Sequence, residues 1–223
     1  MNLSSKNLNR RNFIRTGTAV ATGLTGLTLM PQMSFGGKTS SDEDINIIGP
    51  KEGYSPQIGT LVSMLTWMRT TVLRSVENLN QKELDFLFDP NSNTIGSLLL
   101  HLAATESFYL IHTTQEVPWG NFSEKDTKRW NIPMNLGEEA RKTIKGHDLK
   151  YYTDILTEVR ENSLAEFRKR DDKWLMKVDP KFFGDKPTNN YCKWFHVCEH
   201  ESNHNGQIKW LGKRLPGAKP GNE

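Results

Sequence analysis

Residues 194–212 read WFHVCEHESNHNGQIKWLG, and the histidines in this stretch decide how the rest of the chain is understood. His200 and His204 are four positions apart, so on a helix they sit one turn along and about 40° around from each other, and both imidazoles can reach one ion. The letters from His200 to His204 also spell H-E-x-x-H, the pattern of zinc proteases, whose glutamate is the general base. That reading carries a requirement. Such enzymes take a third ligand downstream, from a glutamate on a later helix or from the extended H-E-x-x-H-x-x-G-x-x-H form. Here Gln207 stands where the extended form needs glycine and Trp210 where it needs histidine, and the only acidic residue after His204 is the terminal Glu223. The third ligand is therefore expected upstream.

The upstream candidate is His101, in the middle of SLLLHLAATE and flanked by Leu98, Leu99, Leu100 and Leu102. Those neighbours turn it toward an apolar interior. A lone core histidine is usually a hydrogen-bonded packing residue, but one facing an i,i+4 histidine pair across a helical bundle suits a metal, because bundle cores build metal sites from side chains on facing helices.

Four segments carry helical periodicity. The first, about 56–79, places Ile58, Leu61, Leu65, Met68, Val72, Val76 and Leu79 on one stripe. The second opens on Asn93-Thr94 as a cap and runs from about 95 to 113; the third, about 149–170, aligns Tyr152, Ile155, Val159 and Phe167; the fourth, about 189–211, contains the opening stretch and stops at Gly212 and Pro216. Strand signals are lacking. The expected fold is all-α, a four-helix bundle with a long connection, about 115–148, between its second and third helices. That connection holds Pro118, Trp119, Trp130, Pro133 and a short helical stretch near 138–145, and its tryptophans favour an ordered flap over the bundle end.

At 223 residues, with Lys+Arg exceeding Asp+Glu by only 29 to 26, the chain suits one domain and gives no basic stripe for a nucleic acid. Its N-terminus, NLNRRNFIRTGTAVATGLTGLTLM, pairs Arg10 with Arg11 ahead of a Gly/Thr-softened apolar run, the pattern of a twin-arginine export signal. The run is too short for a comfortable span of roughly 20 apolar residues, so membrane contact is expected only during export. The expected layout is a signal peptide over 1–36, a linker over 37–54, the bundle domain over 55–218 and a tail over 219–223, with delivery to the periplasm or another extracytoplasmic place. The two cysteines, Cys192 and Cys198, fall on different faces of one helix, rise about 9 Å apart and cannot bridge each other; they read as small buried apolar residues.

NTIGSLLLHLAATE and WFHVCEHESNHNGQI resemble the two signature segments of the DinB-like superfamily (DinB/YfiT-like), four-helix-bundle proteins that include metalloenzymes and thiol S-transferases. The second segment matches the family's pattern at His196, Val197, His200, His204, Gly206, Gln207 and Ile208, and the likeness extends over about 54–216. Asn205 departs from the arginine that many members carry. By position, the resemblance implies a metal triad of His101, His200 and His204, and it also implies a homodimer.

Three neutral histidines leave a divalent ion its full charge and an open coordination position, the arrangement of a catalytic site; zinc, nickel, iron and manganese all accept imidazole. Such a site can lower the pKa of a bound water toward about 7 or hold a thiolate as nucleophile. Three further residues are weaker candidates: Glu201 as a general base or a solvated helix face, Gln207 as a hydrogen-bond partner of a neighbouring group, and His196 in a supporting or pocket role. His112 and His147 receive no role. The expected function is metal-dependent transfer or hydrolysis acting on a small molecule. The alternatives are a metal- or ligand-binding envelope protein without turnover and, remotely, an H-E-x-x-H protease. Low-molecular-weight thiols are cytoplasmic, so export weighs against them as substrates.

Overall fold

A computed structural model of the protein describes residues 45–219. The expected signal segment 1–36, part of the 37–54 linker and the end of the tail, with Glu223, lie outside the described residues. Eight α-helices follow in chain order: α1 (Pro56–Val76), α2 (Gln81–Leu84), α3 (Ile95–Thr114), α4 (Glu124–Asn135), α5 (Gly137–Thr143), α6 (Leu149–Phe167), α7 (Asp172–Leu175) and α8 (Asn190–Gly212). The four long ones are α1, α3, α6 and α8, and they form the bundle that the periodicity predicts. Each start has a local cause. Thr94, Asp148 and Asn189 accept backbone N–H groups from Ser97, Tyr151 and Cys192, and Pro56 occupies the first turn of α1.

The main helix contacts run α1 to α8, α8 to α3, α3 to α6 and α6 back to α1. Buried apolar residues fall into two clusters. One holds Val72 and Val76 of α1, Leu98 to Leu102 of α3, Tyr152 and Leu156 of α6, and Ile208 and Leu211 of α8. The other holds Ile58 to Leu65 of α1, Tyr109 of α3, Phe167 of α6, and Trp194 and Val197 of α8. Since α1 and α8 pass from the second cluster to the first while α3 and α6 pass the other way, α3 and α6 are parallel neighbours.

Parallel neighbours explain the long connection. After α3 the chain must return along the whole bundle before α6 can start, and α4 makes that return packed on the outside of α3. The connection is thus two helices, α4 and α5, and not a single short one. It also explains why α3 is apolar almost all round, buried from Ile95 to Tyr109, while α1 and α6 keep a polar face: α3 is covered by α6, α8 and α4 together. Trp130 of α4 is buried in the first cluster.

One expectation on strands is corrected. A two-residue antiparallel ribbon, β1 (Val178–Asp179) and β2 (Thr188–Asn189), pairs Val178 with Asn189 and Asp179 with Thr188 ahead of α8. Two residues are too few to show alternation in a sequence. Among the described residues no helix is long and apolar enough to cross a membrane.

Candidate metal centre

The seam between α3 and α8 carries the site. The Nε2 atom of His200 lies 3.2 Å from Nε2 of His101 and 3.2 Å from Nε2 of His204, and the three ligand nitrogens all fall within 4.8 Å of one another. His101 and His204 are buried and His200 is half-buried. All three histidines singled out in the sequence therefore meet at one point.

Two of the rings are oriented from behind. His101 Nδ1 donates to the carbonyl of Pro133 at 3.0 Å. That carbonyl belongs to the last turn of α4, where Leu136, at φ 53, ends the helix, so it has no partner within α4 and is free to accept. His204 Nδ1 donates to Gln207 Oε1 at 3.3 Å, and Gln207 Nε2 donates in turn to Asn203 Oδ1 at 3.1 Å. Each of these bonds places the proton on Nδ1 and leaves a bare Nε2 lone pair directed at His200, the arrangement by which backing hydrogen bonds set the tautomer of a ligating histidine.

The residues present fit a divalent metal. Burial, reinforced by His204 and His101, lowers the pKa of His200 to about 3; burial and then His101 lower that of His204 to about 4. His101 is also held below its usual value by burial. All three are uncharged at neutral pH. A proton on His200 Nε2 can serve only one of its two neighbours at full strength, whereas one cation serves all three. The 3.2 Å spacing is close to the separation of about 3.3 Å between two nitrogens bound tetrahedrally at 2.0–2.1 Å. His200 Nδ1 is buried and meets no hydrogen-bond partner.

Comparison with protein-family models matches residues 60–217 to the mycothiol S-transferase family. The chain belongs to that family. Mycothiol S-transferases are DinB/YfiT-like, in keeping with the resemblance carried by the two signature segments. A search of curated proteins finds no match.

In this mycothiol S-transferase family member the supporting residues divide sharply. Gln207 has the hydrogen-bonding place the sequence suggested. His196 stays outside the triad: its ring centroid is 5.6 Å from that of His200, it packs near Tyr109 and Phe183, and its Nδ1 faces Glu199 at 3.3 Å. Glu201 requires a correction. It is neither on a solvated face nor beside the metal position, being 1% exposed with Oε1 held by Arg69 Nη2 at 2.5 Å and Arg160 Nη2 at 2.8 Å. A step of one residue on a helix turns the side chain by 100°, which carries Glu201 from the imidazole seam into the bundle axis. Asn205, where the family pattern often has arginine, is buried and binds Ser75 Oγ at 2.8 Å and Thr71 Oγ1 at 3.3 Å, tying α8 to α1. The cysteines are corrected as well: Cys192 is exposed and Cys198 half-buried, both free, with burial pushing the Cys198 thiol up to about 11.

An uncharged cavity of about 500 Å³ lies at the start of α3 and the end of α8. Asn91, Asn93, Leu98, Asn203, Gln207 and Trp210 are among its walls, and Gln207 is shared between the cavity and His204. At the opposite end of the seam is a group that the sequence reading left without a role. Lys193, 2% exposed, donates from Nζ to His112 Nε2 at 2.8 Å and to Asp179 Oδ2 at 2.9 Å, while His112 Nδ1 donates to the Val117 carbonyl at 2.7 Å. This clasp ties the ribbon and the start of the connection to α3 and α8. Trp119 packs there against Tyr109, Phe122 and Phe182, with centroids 4.9, 5.5 and 5.6 Å away. The expected flap is thus an aromatic cap that includes Trp119, whereas Trp130 lies in the first core cluster.

Proposed function

We propose that this chain is a metal-dependent transferase or hydrolase for small molecules that holds one divalent transition metal on His101, His200 and His204 and activates a thiol or water as nucleophile. The observation that carries the reading is the convergence of three uncharged imidazole nitrogens from α3 and α8 in a mycothiol S-transferase family member. Bound there, a divalent ion supplies Lewis acidity, which lowers the pKa of a thiol or water at an open position. The chain's own residues do the remainder. The Pro133 carbonyl and Gln207 aim two imidazoles, and the neighbouring cavity receives the small molecule among amide side chains against the Trp210 indole. Its lining carries no formal charge, so it suits a ligand bound by hydrogen bonds and apolar contact in preference to ion pairing. Zinc, nickel, iron and manganese are the candidates by donor chemistry.

The test is thiol consumption by protein loaded separately with each of these metals, given low-molecular-weight thiols and an activated electrophile. Turnover lost in His204→Ala with helicity retained supports the reading, and absence of turnover with every metal and thiol argues for the second one. That second reading is a metal-binding module without turnover. It is favoured by the position of Glu201, whose Oε1 is engaged by Arg69 and Arg160 inside the bundle and so is not free to act as acid or base. The same position removes the general base that the protease reading requires.

The twin-arginine pattern supports an extracytoplasmic location, to be tested by fractionating cells that express the full chain with Arg10 and Arg11 replaced by lysine. Retention of the replaced chain in the cytoplasm is the expected outcome. Sedimentation of the purified protein tests the homodimer that the DinB-like resemblance implies.

A further inference from the structure

The bundle contains a buried charged layer to which each long helix contributes one residue: Arg69 from α1, Glu106 from α3, Arg160 from α6 and Glu201 from α8, all 8% exposed or less. Its bonds are reciprocal. Arg69 reaches Glu201 through Nε and Nη2, Glu106 through Nη2 at 2.8 Å, and the Leu156 carbonyl of α6 through Nη1 at 2.8 Å. Arg160 reaches Glu106 through Nε at 2.8 Å and Nη2 at 3.1 Å, Glu201 through Nη2 at 2.8 Å, and the Leu65 carbonyl of α1 through Nη1 at 2.7 Å. The layer separates the two apolar clusters and carries balanced charge. Against the desolvation that pushes a buried carboxyl up, the Arg160 and Arg69 guanidiniums hold Glu106 well below the usual carboxylate range.

Both acids are close in sequence to the histidines. Glu201 follows His200 directly and precedes His204 by three positions, and Glu106 lies five positions after His101. We propose that Arg69 and Arg160 are positioning residues for the metal centre: by pinning Glu201 and Glu106 from α1 and α6, they fix the rotation of α8 against α3 that makes the three Nε2 atoms converge. An apolar core alone would not fix it, since apolar packing tolerates small rotations, while a ligand set needs its atoms placed within roughly 0.5 Å. A 20° rotation of α8 would carry an imidazole nitrogen by about 2 Å. Lysine cannot replace either arginine in this role, because a single ammonium cannot span two carboxylates and a carbonyl on three other helices.

The inference rests on the metal reading, and one experiment separates the two. Wild type, Arg69→Lys, Arg160→Lys and a control, Arg129→Gln, which removes the exposed Arg129–Glu158 ion pair, are titrated with Co²⁺ while the visible ligand-field bands and far-UV circular dichroism are recorded. The expected result is wild-type affinity and spectrum in the control, and in the two lysine variants a loss of about tenfold or more in Co²⁺ affinity with altered bands at unchanged helicity. Wild-type affinity and bands in folded lysine variants would overturn the positioning role and leave the metal reading standing. A wild type that takes up no cobalt would overturn both. Failure of both lysine variants to fold would also overturn it, since the layer would then be needed for the bundle itself and not for its register.

Discussion

His101 Nδ1 and the carbonyl of Pro133 are 3.0 Å apart, and this bond makes the long connection part of the three-histidine site. The return path along α3, which two parallel helices impose, delivers an unpaired helix-end carbonyl to the back of the one histidine of the triad that α8 does not supply. His204 receives the same service from its own helix through Gln207 at 3.3 Å.

Replacing Gln207 by Ala removes the acceptor that sets the His204 tautomer without touching the other two rings. Metal affinity should fall about 10-fold to 100-fold, the usual effect of deleting such a partner. Competition against a chromogenic zinc chelator measures it, and unchanged affinity would show that the bond does not orient the ring.

Arg160→Met leaves Glu106 and Glu201 facing one guanidinium in place of two. Leaving a buried charge uncompensated costs about 3–5 kcal/mol, and urea unfolding monitored by circular dichroism should show a loss of that size. A change below about 1 kcal/mol would mean that the layer contributes little to stability.

Gly96 of α3 faces α6 so closely that a Cβ there would lie 2.6 Å from the hydroxyl and 2.7 Å from Cζ of Tyr152. Tyr152 is fully buried, so its ring would have to shift within the core. Gly96→Ala should therefore destabilise the protein by about 1–3 kcal/mol through overpacking, against the small gain that alanine normally brings to a helix. Denaturant midpoints decide the sign.

The metal-free protein should lose stability in mild acid. The folded values of about 3 for His200 and about 4 for His204 lie below the ordinary 6.5, so the unfolded chain takes up protons first as the pH falls. The stability these groups contribute is full above 6.5 and is lost through the window down to those folded values. Urea midpoints of chelator-treated protein between pH 7.5 and 5 should fall, and His200→Gln should show a shallower fall than wild type. Equal slopes would contradict the assignment.

The sequence made the scaffold and the triad legible for physical reasons. Apolar spacing of three and four marks α1 and α6 as helices, and it takes no structure to see that His200 and His204 share a face or that His101 among leucines points inward. Glu201 was misread because its neighbours on α8 are polar, so nothing local distinguishes a solvated glutamate from one whose partners, Arg69 and Arg160, come from two distant helices. The signal was present in another form: Arg69 interrupts the apolar stripe of α1, and Glu106 sits inside the otherwise uncharged α3. Lys193 and His112 stayed hidden because their bond joins positions 81 residues apart. The parallel course of α3 and α6 depends on which ends meet, which helical periodicity does not encode.

The central claim is that His101, His200 and His204 hold a metal ion, and elemental analysis of the purified protein tests it most directly. Prepared anaerobically without chelators or tag-derived metal, the wild type should contain about one divalent transition-metal ion per chain, and His101→Ala and His200→Ala should contain almost none while keeping their helicity. A metal-free wild type that also fails to take up zinc, nickel, iron or manganese on dialysis would contradict the account.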